Sequence, residues 1–413
     1  MIMTRLSVPS REIRQRATIA AVQVLAITAW FSASAVVPTL ERTWHISSTD
    51  AVWLTASVQI GFVIGAIGSV LLSLADRYRP QVLIGSAAGG AAALTAVLAL
   101  AVDSLGPAIV LRLLTGVCLA AVYPVGMKAM ASWAPPLSRG RAFGLLIGAL
   151  TLGSAMPQLI SGSADLPWRG VMLAAAGVTA VGALLALIGI RPGPHSGGAS
   201  GRPHPRYALA MFRSRGPRLA NLGYFGHMWE LYALWTWLPT FVLYGAAGGP
   251  GHEHHLGLFV AIGVAGVCGC ALGGWAADRF GRPVAAAVAL IVSGSCCLLS
   301  PLMFRAGWVP LLIFILVWGA AVIADSGVFS TALSETADQR YVGTALTAQT
   351  AFGFLLTVVT IQFVPVFAGH VGWQFALWLL APGPVFGALA MTALGRNTHP
   401  IQRSTSDVRT SHV

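Results

Sequence analysis

Charge is what this sequence has least of. Aspartate, glutamate, lysine and arginine make up 9% of its 413 residues, where soluble domains carry about 25%, and a water-soluble protein of this size is excluded. Lysine is almost missing: Lys128 stands alone, and arginine supplies the rest of the net charge of +12. Cysteine is sparse too, and Cys118, Cys268, Cys270, Cys296 and Cys297 all fall inside apolar runs. A thiol there is a small packing group, so the sequence offers neither a disulfide framework nor a metal-binding spacing. It contains no Gly-x-x-x-x-Gly-Lys-Ser/Thr loop, which removes support for ATP-driven work, and no cofactor motif. No polar stretch is long enough to make a soluble domain. What the chain has instead is 56% hydrophobic residues and a mean hydropathy of +0.75. Its 47 glycines and 23 prolines are interleaved with Ala, Val, Leu and Ile, the habit of packed membrane helices.

A membrane-spanning helix takes about 20 apolar residues. Runs of that length occur at 18–39, 51–74, 81–102, 105–130, 142–163, 169–190, 219–245, 256–277, 283–304, 307–331, 341–367 and 372–394. They are too long and too uniformly apolar for barrel strands, and an unpaired backbone cannot be left in hydrocarbon. The expected fold class is therefore an all-α integral membrane protein with twelve transmembrane helices. Alternate loops give the direction, because 20 of the 25 basic residues fall on one side. Positive charge marks the cytoplasmic face, so both termini are expected there, in a multi-pass protein of the plasma or inner membrane. The same placement makes the positive charge a topology signal and argues against nucleic acid as a partner. Reading the basic start and Ser32-Ala33-Ser34-Ala35 as a cleaved signal peptide would remove a span and invert that bias.

The basic stretch 191–218 is the obvious linker. It separates a six-helix half at 1–190 from another at 219–394, with a cytoplasmic tail at 395–413. Its arginines could hold the headgroups of membrane lipids, although a solvated loop that sets orientation explains them more simply.

A repeat supports this division. Leu72-Ser73-Leu74-Ala75-Asp76-Arg77-Tyr78-Arg79-Pro80 lies between the second and third runs, and Gly274-Trp275-Ala276-Ala277-Asp278-Arg279-Phe280-Gly281-Arg282-Pro283 lies between the eighth and ninth. The two align at an offset of 202 residues, on the same side of the membrane, as expected for two halves related by an axis along the membrane normal. The second copy matches Gly-x-x-x-Asp-Arg-x-Gly-Arg in full, and Arg112-Leu113-Leu114-Thr115-Gly116 reads Arg-x-x-x-Gly in the fourth run. On these motifs the chain resembles the major facilitator superfamily over all twelve spans. The first loop departs from the pattern, with Leu72 and Arg79 where glycines are usual. The resemblance implies a pseudo-symmetric, monomeric bundle that takes a small-molecule substrate and protons, and whose cytoplasmic gate is built from Asp76, Arg77, Gly274, Asp278, Arg279, Gly281 and Arg282. It implies that Asp76 faces Val342-Gly343-Thr344 and that Asp278 faces the start of span five near Gly140 and Arg141. A carboxylate is favoured at such a helix N-terminus.

Ionisable groups inside a span are costly and are functional candidates by default. Glu230 falls near the midplane of the seventh run, with His227 three residues earlier on the same helical face as Gly223, Leu234 and Trp237. The pair suits proton coupling or substrate contact; the alternative is a fixed hydrogen bond between helices. Arg112 could bind an anionic substrate, pair with a carboxylate or tune a nearby acid, and the family motif implies a part in proton transfer. Asp325 could complete the same network or pair with Lys128, which could instead snorkel to the interface. Glu335 is expected at the interface. Trp30, Tyr123, Tyr232 and Gln349 complete the expected cavity set, on the first, fourth, seventh and eleventh runs. Simple packing competes as an explanation for each aromatic residue.

Two features narrow the function. Gly153-Ser154-Ala155-Met156-Pro157 departs from the glycine-proline signature of the superfamily's antiporters, and the second and eighth runs lack the arginines of its nitrate transporters. His252, Glu253, His254 and His255 form a cluster after the seventh run that reads as a solvated loop rather than a metal site. The sequence therefore predicts no enzyme. It predicts a secondary transporter of a small organic solute working by alternating access, coupled to protons through Glu230, with His227 and Arg112 tuning it. The alternatives are a proton-antiporting exporter of drugs or metabolites and a membrane sensor that transports nothing.

Overall fold

A computed structural model describes residues 8–72, 74–134, 139–163, 166–195, 206–245, 252–338 and 341–398. Helices dominate throughout. Span one runs Val8–Ile27, unwinds over 28–36 and resumes as Val37–Trp44. Span two is Trp53–Leu71, span three Pro80–Ala101, and span four Leu105–Leu119 followed by Tyr123–Ser132. Span five is Arg139–Ser163, span six Trp168–Gly189 and span seven Arg215–Gly245. Span eight joins His252–Phe259, a π-helical turn at Val260–Val264 and Ala265–Phe280. Span nine is Arg282–Met303, and span ten breaks between Trp308–Ala324 and Ser326–Thr336. Span eleven is Val342–Val371, and span twelve joins a 3-10 segment at Trp373–Leu380 to Pro382–Thr398.

Ten helices among the described residues are long and apolar enough to cross a membrane. Spans one and seven fall short of that measure, for a shared reason. Span one carries Arg11, Arg14, Gln15, Arg16 and Gln23 and is interrupted at 28–36, while span seven carries Asn221, His227 and Glu230 among its tryptophans and tyrosines. Most of span seven is nonetheless buried inside the bundle. The histidine cluster expected in a loop belongs instead to the first turn of span eight, which starts at His252.

The pairwise packing repeats between the first six spans and the last six. Span three packs on six as nine packs on twelve, span two on four as eight on ten, and span one on five and six as seven on eleven and twelve. The glycines give this correspondence atomic detail. A Cβ added to Gly116 of span four would lie 2.1 Å from the Val58 carbonyl oxygen of span two, and one added to Gly319 of span ten would lie 2.0 Å from the Ala261 carbonyl oxygen of span eight. Both residues of the second pair sit 203 positions after their counterparts, one more than the loop repeat. Only glycine permits backbones to approach this closely.

Two seams join the six-helix sets, one between spans two and eleven and one between spans five and eight. The second seam is closed along half its length: Gly148 faces Val267, Gly263 faces Ala155, and Gly162 faces Leu256 and His255. Towards the arginine-rich side it parts, because Gly144 and Gly274 have nothing within 4 Å of an added Cβ. The first seam behaves alike. Phe62 and Phe354 meet at 4.5 Å between ring centroids, whereas Gly68 faces open space and Leu71 is 75% exposed. The molecule is thus closed on the arginine-poor side and open on the other.

Candidate functional site

The unwound part of span one explains Arg112. Residues 28–36 leave main-chain carbonyls without helical partners at membrane depth, where no water replaces them. Arg112 Nη1 donates to the Ala29 carbonyl at 2.8 Å and to Ser32 Oγ at 3.3 Å, Nη2 donates to the Trp30 carbonyl, and Nε donates to the Leu54 carbonyl at 2.9 Å. The planar guanidinium, with its forked donors, suits several acceptors at once. Arg112 is fully buried and, among the described residues, has no carboxylate partner, so of the three roles open to it pairing with a carboxylate is not the one seen. It clamps spans one, two and four together.

Span seven directs its two ionisable groups to different neighbours. Glu230 Oε1 accepts from Ser293 Oγ at 2.5 Å, Trp318 Nε1 at 2.7 Å and Cys297 Sγ at 3.3 Å, which binds span seven to spans nine and ten. His227 Nδ1 lies 2.9 Å from Asp325 Oδ1, and its Nε2 lies 2.8 Å from Ser326 Oγ. Asp325 occupies the break in span ten, between the two helical pieces. No donor is aligned on its Oδ1 for a regular hydrogen bond, so the two groups lie in close contact without one. All three groups are no more than 2% exposed. Asp325 therefore partners His227 and not Lys128, whose side chain is exposed. The seam is close by, since Gly327 faces Ile147 of span five and Gly266 of span eight faces Thr151 of the same span.

A second constellation closes the bundle. Trp30 and Phe31 of span one, Phe62 of span two, Tyr232 and Trp235 of span seven and Phe354 of span eleven form one ring cluster. Trp30 lies 5.9 Å from Tyr232 and 5.7 Å from Phe354, Phe31 lies 5.8 Å from Tyr232, and Tyr232 lies 5.0 Å from Phe354, between centroids. These contacts cross from one six-helix set to the other. The indole nitrogens of Trp30 and Trp235, the amide nitrogen of Gln349 and both amide atoms of Gln59 are buried without a hydrogen-bond partner. Tyr123 begins the second piece of span four and is half-buried. The expected single cavity set therefore divides: Trp30 and Tyr232 join the ring cluster, whereas Glu230, His227 and Asp325 lie among spans seven, nine and ten.

Sequence reasoning missed Ser293, Cys297, Trp318 and Ser326 as partners. A signal existed on span nine, where Ser293, Cys297 and Ser300 recur at helical spacing in an apolar run. It also missed Phe62 and Phe354, which are indistinguishable in sequence from packing residues.

The loop residues are partly described. The side chain of Asp76 and the surroundings of Gly140 and Gly343 lie outside what is described, and Arg340, linker residues 196–205 and tail residues 399–413 lie outside the described residues. Gly281 has φ 88°, a region open to glycine and rarely to other residues. Its counterpart Arg79 has φ −65°, so the departure of the first loop from the motif accompanies a different turn. Asp278 and Arg279 are exposed, and no ion pair joins Asp278 to the exposed Arg141. Arg282 instead pairs with Glu335 at the end of span ten. At the other end of the same seam, His255 Nδ1 lies 2.9 Å from Gln158 Oε1 of span five, and the His254 ring lies 4.5 Å from that of Trp308, tilted by 52°.

This architecture is that of a multi-pass helical membrane protein with a seam that opens on one side. Residues 19–361 match the family described as Major Facilitator Superfamily. The xylose transporter XylE from E. coli, in a partially occluded inward-open conformation, is similar at a TM-score of 0.72 and 15% identity, over 93% of this chain and 98% of that one. A bacterial homologue of the human lysosomal transporter Spinster, inward-facing and unoccupied, gives a TM-score of 0.73 and 15% identity over 95% and 99%. The nucleoside transporter NupG gives 0.72 and 13% over 92% and 99%. Likeness at these identities concerns the fold alone. No curated protein matches the sequence. The chain belongs to the major facilitator superfamily, and so to the membrane transporters of small molecules rather than to the enzymes.

Proposed function

We propose that this protein moves a small, predominantly uncharged organic solute across the membrane by alternating access, with proton movement coupled to the transport cycle. The observation that carries the reading is the pair of seams, closed by rings on the arginine-poor side and parted on the arginine-rich side. In the topology expected from the loop charges, this is an inward-facing state. Rocking of residues 1–190 against residues 219–394, joined by the linker at 191–218, would part the ring cluster and close the other end. Asp76 and Asp278 would then meet the starts of spans eleven and five that are expected to face them across the seams.

The unpaired indole and amide groups near the centre support a solute that brings hydrogen-bonding groups of its own, since buried donors without partners cost about 1–3 kcal/mol each. Rings beside them support a solute with an apolar face. For coupling, the geometry favours the His227–Asp325 pair over Glu230 as the proton carrier. Glu230 has three donors on one oxygen, all from its own six-helix set, which suits an anchor. His227 and Asp325 sit at a helix break beside the seam, where a change of charge can bias the rocking.

The test begins with a thermal-shift screen of the purified protein against sugars, nucleosides, amino acids, organic acids and drugs, and continues with flux of the stabilising solute in proteoliposomes. Asp325→Asn is expected to abolish uphill uptake driven by a pH gradient while downhill exchange continues. Uphill uptake unchanged in that variant would overturn the coupling role, and a lack of flux for any stabilising solute would overturn the transport reading itself.

A further inference from the structure

The arginine-rich end of the first six spans contains a pocket lined by spans one and four and the start of the linker, apart from both seams. Its volume is about 220 Å³, and Arg11, Arg14, Gln15, Trp133, Arg191 and Pro192 line it. Arg11, Arg14 and Gln15 recur at helical spacing on span one, so they share a face. Trp133 ends span four, and Arg191 follows span six. At about 30 Å³ per water, the space would hold roughly seven waters, which is ample for a phosphate group.

The walls are fixed by hydrogen bonds that leave the charges unspent. Gln15 Nε2 donates to the Gly189 carbonyl at 3.0 Å while its Oε1 accepts from the Arg191 amide at 3.0 Å. Trp133 Nε1 donates to the Arg191 carbonyl at 2.7 Å. Gly193 N donates to Ser132 Oγ at 3.1 Å, and His195 N donates to the Ser132 carbonyl at 3.0 Å. The start of the linker is thereby laid against the ends of spans one and four. Arg16, two residues beyond Arg14, is occupied by the Trp133 carbonyl and by Glu12. Glu12, the acid of that pair, is not among the residues that line the pocket. Among the described residues the side chains of Arg11 and Arg14 have no hydrogen-bond or ion-pair partner, and that of Arg191 reaches only the Ile190 carbonyl.

Three cations gathered around one pocket, with no acid among them, repel one another unless an anion joins them. The forked donors of arginine match phosphate oxygens. Basic pockets between spans on the cytoplasmic face take anionic headgroups, and a tryptophan at this depth belongs to the headgroup layer. We propose that this pocket binds a phosphate group, supplied by an anionic phospholipid, and that the bound headgroup fastens the linker to the first six spans. A soluble phosphate offers the same chemistry, so the experiment separates the two sources.

The full-length chain, purified and delipidated, is titrated with phosphatidylglycerol, with phosphatidylcholine and, separately, with inorganic phosphate, and bound lipid is counted by native mass spectrometry alongside thermal shift. One variant combines Arg11→Gln, Arg14→Gln and Arg191→Gln. A control of equal charge loss on the same side combines Arg213→Gln, Arg215→Gln and Arg218→Gln. Phosphatidylglycerol is expected to bind the wild type and the control in preference to phosphatidylcholine, and to bind the pocket variant about 100-fold more weakly, roughly five-fold per arginine. Protection by millimolar inorganic phosphate that the pocket variant loses, without any preference among lipids, would assign the site to a soluble phosphate. Equal binding of the two lipids with no phosphate effect, or equal losses in the two variants, would overturn the site.

Discussion

If Arg112 clamps the unwound part of span one, then replacing it with lysine should do more harm than replacing it with methionine. The guanidinium makes four hydrogen bonds, to three carbonyls and one hydroxyl on spans one and two. Bonds to a charged donor contribute about 1.5–3 kcal/mol each in general and neutral ones within a membrane about 0.6, so ~1–1.5 kcal/mol each is a fair intermediate and ~4–6 kcal/mol the sum. Arg112→Met gives these up but also removes a buried charge that costs about 2.5–3.5 kcal/mol. The net loss is about 2 kcal/mol. Arg112→Lys keeps the charge, and one ammonium cannot reach acceptors spread as these are, so the loss is about 3–5 kcal/mol with little to offset it. The assay is hydrogen exchange of the peptide covering residues 28–36 in nanodiscs, beside denaturant unfolding. Exchange there should quicken about 30-fold in Arg112→Met and further in Arg112→Lys, while the helices of the last six spans stay unchanged. A lysine variant as stable as the wild type, with only the pH profile of transport altered, would refute the clamp.

Three more outcomes follow from the packing. Trp30→Ala removes the two ring contacts that cross to Tyr232 and Phe354, at about 0.5–1.5 kcal/mol each; the balance between states should shift by roughly 5- to 150-fold, read as a longer distance between spin labels at positions 42 and 253. Gly116→Val and Gly319→Val each force a Cβ onto a carbonyl oxygen, and both should lose the monodisperse peak in size-exclusion chromatography, whereas Gly144→Val, facing open space, should keep it. Glu230→Gln retains an oxygen for Ser293 and Trp318, so uptake driven by a pH gradient should survive it and fail in Glu230→Leu; loss of coupling in the glutamine variant would return the carrier role to Glu230.

The apolar runs and the duplicated loop made the bundle legible, because span length and the cost of an unpaired backbone leave few alternatives. The breaks were less so. Pro124 marks the interruption of span four, but Thr28 to Val36 contains neither glycine nor proline, and the chain unwinds there because Arg112, far away in sequence, accepts the task of satisfying it. Partner choice was least legible. His227 and Glu230 are three residues apart on one helix, yet one turns to Asp325 and the other to Ser293 and Trp318. The rotation of span seven between spans nine and ten decides that, and helical periodicity does not encode it.

The interruption of span one also bears on how the protein enters the bilayer. A segment with exposed carbonyls and several polar side chains is a poor candidate for insertion alone, and span one is not among the helices apolar enough to cross unaided. Arg112, which satisfies it, lies 82 residues beyond Trp30 and is itself costly to insert alone. Each supplies what the other lacks. The first four spans would then have to be retained at the insertion machinery and released together, so that a nascent chain halted before Arg112 would leave its own first helix stranded at the membrane surface.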